Sequence, residues 1–172
     1  MADIAWDPHR TDEAEAAWAE LGRHLGFTAQ QPELDFKIGS DALWAFPDGT
    51  LVVTELKTGS GSSTIWKKDI NQLAGSVNWC QGEYGLSANV VPLMVHPVEL
   101  VDNTGTPPHG TLVVNKSKLK HLKDSMRLFA AAVSLQDAYR DPAKLELQFQ
   151  HFRLDQSILL SEFTARARRA TE

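Results

Sequence analysis

Cysteine is almost missing from this chain. Cys80 is the only one in 172 residues, so no disulfide can close within the chain and no four-cysteine iron–sulfur cluster can be held. Cys80 itself reads as a small buried hydrophobe on a helix. Long hydrophobic runs are missing too. No segment approaches the roughly 20 apolar residues that span a bilayer. Asp3, Trp6 and Asp7 interrupt anything that could act as a signal peptide, so a cytoplasmic protein without a membrane partner is expected. Six histidines are scattered without metal-ligand spacing. Only His96, just after an apolar run, stands out, and it reads as structural. Excess positive charge is absent as well: 17 bases face 22 acids, for a net charge of −5. That balance argues against a strong stand-alone nucleic-acid binder, whose affinity rests on phosphate neutralisation. The imbalance is local, because acids dominate the first sixty residues while the remainder carries slightly more bases than acids. There is no internal repeat and no low-complexity segment. What remains is one domain's worth of chain, 1–172, with 42% hydrophobic residues, enough to bury a core.

The most informative stretch is 41–57, DALWAFPDGTLVVTELK. Pro47-Asp48-Gly49 suits a three-residue hairpin loop, with proline presetting the first turn position and glycine taking the left-handed conformation that closes a bulge. With Phe46 and Thr50 flanking the loop, antiparallel pairing sets Leu43 opposite Val53 and Asp41 opposite Glu55. All four then share one face, and alternation brings Lys57 to the same face. Directly opposed positions have Cβ atoms roughly 5 Å apart. Two acids that close repel unless a cation lies between them, and one lysine offsets the repulsion only in part. A divalent metal is the natural occupant.

An aspartate opening one strand and Glu-x-Lys closing the next, here Asp41, Glu55 and Lys57, resembles the PD-(D/E)XK motif of the restriction-endonuclease-like nucleases. Ser40 stands where that family often has proline, and nothing chemical depends on the proline. The flanks fit the resemblance. Residues 12–25 carry Ala14, Trp18, Leu21 and Leu25 near the helical period, with Thr11 or Asp12 as N-cap and Gly26 just past the end. After a turn-rich loop at 58–63, residues 65–79 read as a second helix with Ile70, Leu73, Ala74 and Val77 on one side. Residues 90–95 form a continuous apolar run bounded by Pro97. It reads as a buried strand that the crossover helix makes parallel to the strand of Glu55. This order is similar to the αβββαβ core of the family. The expected fold class is therefore α/β: a restriction-endonuclease-like core at about 11–97 with a mixed central sheet flanked by helices, and a C-terminal extension at about 98–172.

The second helix, with Lys67, Lys68, Gln72, Ser76 and Trp79, also resembles the lysine-then-glutamine helix of nuclease domains associated with DNA helicases. That resemblance implies that Gln72 points back at the active site and holds a water or a phosphate oxygen. It also implies an acid on the first helix, Glu15, with Glu13 as the alternative. The implied activity is metal-dependent hydrolysis of phosphodiester bonds, of DNA first, beside a helicase or in repair, restriction or defence. Asp41, Glu55 and the Leu56 carbonyl would hold Mg²⁺ or Mn²⁺, since hard oxygen donors suit these ions better than zinc. Lys57 would orient the attacking water and stabilise charge on the phosphorane. The alternative is a catalytically silent nucleic-acid-binding or assembly module of the same fold.

Further along, Lys116, Lys120, Lys123 and Arg127 fall on one stripe of a helix at 116–133, and Leu119, Leu122, Met126 and Phe129 on another. The basic stripe is either a solvated face or a phosphate-contacting one. Lys67 and Lys68, nearer the proposed site, are better placed to hold a substrate backbone. A loop at 104–110, a short strand at 111–114, an amphipathic stretch from Pro142 to about Phe152 and a closing segment at 158–163 precede a polar tail with Arg166, Arg168 and Arg169. Trp18 and Trp44 read as core. Trp66, at a loop-to-helix junction, reads as packed, with base stacking as its alternative.

Overall fold

The structure, a computed structural model, describes residues 3–169, apart from the side chains of residues 136 and 137. Its organising element is strand β3 (Leu51–Leu56), whose near-continuous apolar run is buried along its whole length, as a strand covered on both faces requires. To one side, β2 (Ala42–Ala45) and then β1 (Thr28–Gln30) pair antiparallel. To the other, β4 (Val90–Val95) and β6 (Leu112–Val114) pair parallel, and β7 (Ala165–Arg166) closes the sheet antiparallel. The order β1-β2-β3-β4-β6-β7 makes a six-stranded mixed sheet. Two short strands, β5 (Leu100–Val101) and β8 (Arg168–Arg169), form a separate parallel pair.

Among the described residues six α-helices accompany this sheet: α1 (Thr11–His24), α2 (Pro32–Phe36), α3 (Lys67–Tyr84), α4 (Lys116–Ser134), α5 (Pro142–His151) and α6 (Gln156–Phe163). The chain is thus α/β, with a mixed central sheet between helical layers. Alternation along the strands sorts the core into two halves. Ala42, Trp44, Val52 and Leu56 point to the face covered by α1, α4 and α6, where Trp18 stacks on Trp44 with ring centroids 4.7 Å apart. Leu43, Leu51 and Val53 point to the opposite face, against Ile70, Leu73 and Cys80 of α3. Gly22 on α1 is forced by that first layer, since a Cβ there would lie 2.5 Å from Trp44 Nε1. Among the described residues no helix is long and apolar enough to cross a membrane.

The hairpin forms as its turn chemistry requires. Phe46 N–H donates to Thr50 O at 2.9 Å, Gly49 N–H donates to Phe46 O at 2.9 Å, and Gly49 takes a φ of 86°. Leu43 faces Val53. Elsewhere the structure corrects the expectations. The N-cap of α1 is Arg10, which makes no side-chain cap bond, and Thr11 is already helical. Asp12 and Glu13 instead sit in the first turn, where the helix dipole favours them. Helix α3 begins at Lys67, not at residue 65, because Ile65 pairs with Val101 in a parallel bridge, and it runs on to Tyr84. Trp66 is the N-cap of α3 and is 48% exposed, so it is not packed. The arginine tail is strand-paired: Arg166 faces Leu112, and Arg168 faces Leu100. Strand β1 and helix α2 are additions to the expected elements.

Candidate functional site

Asp41 immediately precedes β2, and continuing the register past the Ala42–Thr54 pair brings it beside Glu55. Where β2 ends, the ladder would leave the Leu56 N–H without an acceptor. The Asp41 carboxylate takes that place, with Oδ2 accepting the Leu56 N–H at 2.6 Å. Glu55 is fully buried on the α3 face of the sheet. Its Oε1 accepts from Ser76 Oγ at 2.7 Å, and its Oε2 accepts from Lys57 Nζ at 3.2 Å. The same Nζ lies 3.6 Å from Asp41 Oδ2. One ammonium thus bridges two carboxylates that are 5% and 0% exposed.

Asp41 and Lys57 open into a cleft of about 500 Å³ whose wall also includes Glu15, Glu33, Lys37 and Gln72, with Glu55 buried behind them. Its electrostatics are those of crowded, poorly solvated acids. Burial, reinforced by the charge on Asp41, pushes the Glu55 carboxyl up to about 7, against the attraction of Lys57 and the Ser76 hydrogen bond. Burial and then Asp41 and Asp12 push Glu15 up to about 7 as well. Glu33 is raised by a hydrogen bond shared with Asp41 and by burial. For Lys57, burial disfavours the ammonium, but the charges of Asp41 and Glu55 outweigh it and raise its pKa. The lysine is therefore a fixed cation whose charge does not balance the acids around it.

The donor set suits a hard divalent cation. Asp41 and Glu55 supply carboxylate oxygen. The Leu56 carbonyl projects to the same side of its extended strand as its N–H, toward Asp41. Among the described residues no three His, Cys, Asp or Glu side chains are arranged to enclose an ion. Any ion on these two carboxylates and the carbonyl would need waters to complete its coordination.

The cleft brings together Asp41, Lys57, Glu15 and Gln72, with Glu55 beneath them. Glu13 is exposed and does not line it. Lys67 and Lys68 are exposed in the first turn of α3, and Lys68 stands one turn before Gln72 on the same helix face. Lys116 and Lys120 are not brought to the cleft. They ride on α4, whose apolar stripe packs on the opposite sheet face from α3. Lys120 is paired with Asp124 at 2.7 Å, Arg127 approaches Asp124 at 3.5 Å, and Lys123 donates to the Ile4 carbonyl. This stripe is partly neutralised by its own helix.

Two contributors have no simple sequence signal. Glu33 arrives on the five-residue α2, which is too short for a readable periodicity. Ser76 belongs to the same helix motif as Gln72, but nothing in the sequence assigns it to Glu55 beyond its position one helical turn after Gln72. His96, fully buried, places Nδ1 3.0 Å from the Val98 carbonyl and Nε2 3.1 Å from Ser60 Oγ, and burial lowers its pKa. It ties down the loop that follows Lys57. Cys80 is buried, and burial raises its thiol to about 11. A larger cleft, about 800 Å³, lies between the hairpin tip and α5 and α6, lined largely by apolar groups such as Phe27, Phe46 and Phe149. The crowded acids border the smaller cleft, which is therefore the candidate site. No protein-family model, curated protein or solved structure matches the chain.

Proposed function

We infer that the chain is a metal-dependent phosphodiesterase acting on nucleic acid, DNA first, with a restriction-endonuclease-like fold. The observation that carries this reading is the buried Asp41–Glu55–Lys57 cluster at the floor of an acid-lined cleft, in which Glu55 and Glu15 are both pushed up to about 7. Buried like charges are destabilising unless something offsets them, and perturbed carboxyls gathered in a cleft are candidates for a functional site. The element order supports the fold: a helix, a three-strand antiparallel meander, a crossover helix and a parallel strand, with the short α2 added.

In this reading Asp41 and Glu55 would hold Mg²⁺ or Mn²⁺, with the Leu56 carbonyl as a further donor. When bound, the ion supplies Lewis-acid polarisation of a phosphate oxygen and a water of lowered pKa. The chain's own residues do the rest. Lys57, held by its two carboxylates, orients the attacking water and stabilises charge that grows on the phosphorane oxygens. Gln72, on the cleft wall, holds a water or a non-bridging phosphate oxygen. Ser76 fixes the orientation of Glu55 from behind. Glu15 is the helix-borne acid facing the same space, where it can accept a proton near neutral pH. The resemblance of the Gln72 helix to helicase-associated nuclease domains is what supports an activity exercised beside a motor protein.

A second reading has its own support. Asp41 already accepts the Leu56 N–H, and Glu55 is already bonded by Ser76 and Lys57. A cluster so satisfied internally is compatible with a silent nucleic-acid-binding or assembly module of the same fold. A gel assay of linear, nicked and single-stranded DNA, and of RNA, with Mg²⁺, Mn²⁺ or EDTA separates the two. Cleavage that requires the metal and is lost in Asp41→Asn supports the enzyme, and no cleavage under any condition supports the module.

A further inference from the structure

Trp66 stands at the N-cap of α3 with 48% of its surface exposed, an unusual position for the largest apolar side chain. One face of its indole is occupied by the Lys68 ammonium, 4.6 Å from the ring centroid. That cation–π contact steadies the ring without burying it. Lys68 and Gln72 are four residues apart and stand on one helix face, so along the axis Lys68 lies roughly 6 Å and Trp66 roughly 9 Å from Gln72 on the cleft wall. Lys67 is exposed beside it, and among the described residues neither Lys67 nor Lys68 belongs to an ion pair, unlike Lys57, Lys120 and Lys144. Across the cleft, Leu34 of α2 is 61% exposed.

We propose that Trp66, with Lys67 and Lys68, is a docking platform for a single-stranded nucleic-acid segment, one of whose bases stacks on the indole while the flanking phosphates meet the two ammonium groups. The proposal rests on reading the cleft as a phosphodiesterase site, and it narrows the substrate to unpaired strands or frayed ends. Two observations favour a single strand over a duplex. A stacking surface needs the flat face of a base, which a duplex hides between neighbouring pairs and offers only as groove edges. The charge balance also disfavours a duplex. Asp12, Glu15 and Glu33 line the cleft, and the chain carries a net charge of −5, so a second phosphate backbone would meet repulsion with few cations to offset it. Stacking supplies affinity that does not depend on positive charge, and it would bring a strand past Gln72 toward Asp41 and Lys57.

The test is fluorescence anisotropy with the full chain in EDTA, where hydrolysis cannot occur. The probes are a labelled oligothymidylate of about 20 nucleotides and a blunt duplex of equal length, over a range of salt concentrations. The single strand should bind more tightly than the duplex. Trp66→Ala should raise Kd about fivefold or more, and Trp66→Phe should retain most of the affinity. Lys68→Ala should make the salt slope shallower by about 0.7. Because Trp66 is half-exposed, the variants should melt close to the wild type. Trp66→Phe and Lys68→Ala still decide the question if Trp66→Ala is poorly folded. Unchanged single-strand affinity in Trp66→Ala, a preference for duplex, or no binding of either probe overturns the proposal; the last outcome would point to a protein partner for this patch. Metal-dependent cleavage by the wild type with no Trp66 effect removes the platform and leaves the site reading standing. Weakened binding in Trp66→Ala with no cleavage under any metal keeps the platform and removes the hydrolysis.

Discussion

Replacing Glu55 with glutamine removes the carboxyl buried behind the cleft while leaving an acceptor for Ser76. Burial and Asp41 push the Glu55 carboxyl from 4.5 up to about 7. Between those values the native protein therefore keeps a proton that the unfolded chain has already released. Stability from this group is complete below about pH 4.5 and is lost as pH rises through about 7, the sign expected for a raised carboxyl. The full displacement corresponds to about 3 kcal/mol at most, or about 6–12 °C in Tm for a chain of this length. Urea unfolding in EDTA at several pH values from 4.5 to 8 measures it. Near pH 4.5, Glu55→Gln and wild type should be about equally stable. By pH 8 the variant should be the more stable of the two, by up to about 3 kcal/mol, with Lys57 still paired to Asp41. A difference between the two proteins that stays constant with pH, or that grows in favour of the wild type, would refute the argument that ionised Glu55 is held at a cost.

Two further outcomes follow from the same geometry and from the core. Millimolar Mg²⁺ or Mn²⁺ should raise the wild-type Tm with increasing occupancy, since binding at one hundred times Kd contributes about 2.7 kcal/mol. Asp41→Asn should abolish that rise, and a wild type that shows no metal-dependent shift would count against the cation site. In the layer behind the sheet, Gly22→Ala places a Cβ against the Trp44 ring, 2.5 Å from Nε1, where the stack on Trp18 leaves little room to move. It should cost about 1–3 kcal/mol in chemical denaturation, and an unchanged midpoint would show that the contact relaxes freely.

How much of this was legible in the sequence depends on the range over which each feature is determined. Pro47-Asp48-Gly49 is local turn chemistry, and the register it sets carries Leu43 to Val53 and Asp41 to the side of Glu55 without any further information. Helix α1 and strand β4 were readable from periodicity and from a bounded apolar run. Features decided by distant partners were not. Ile65 looks like the apolar start of a helix, yet it pairs with Val101, and Arg166 and Arg168 look like a solvated tail, yet they pair with Leu112 and Leu100. Glu33 reaches Asp41 only because the β1–β2 connection folds a five-residue helix over the cleft. Trp66 reads as packed from its size alone, yet at the N-cap of α3 it is left about half-exposed, with the Lys68 ammonium over one ring face. The basic stripe of α4 was visible as a pattern, but the sheet face on which that helix packs was not.

The most direct test of the central claim is the rate at which purified protein, free of contaminating nuclease, cleaves single-stranded DNA with Mn²⁺, compared with Lys57→Ala at matched substrate occupancy. The wild type should cleave only with metal and not in EDTA, and Lys57→Ala should lose about 10²–10³ in rate with DNA binding retained, the scale set by removing one preorganised electrostatic contact. A wild type that cuts no form of DNA or RNA with either metal would contradict the phosphodiesterase itself. Equal rates for wild type and Lys57→Ala would contradict the role given to the lysine that bridges Asp41 and Glu55.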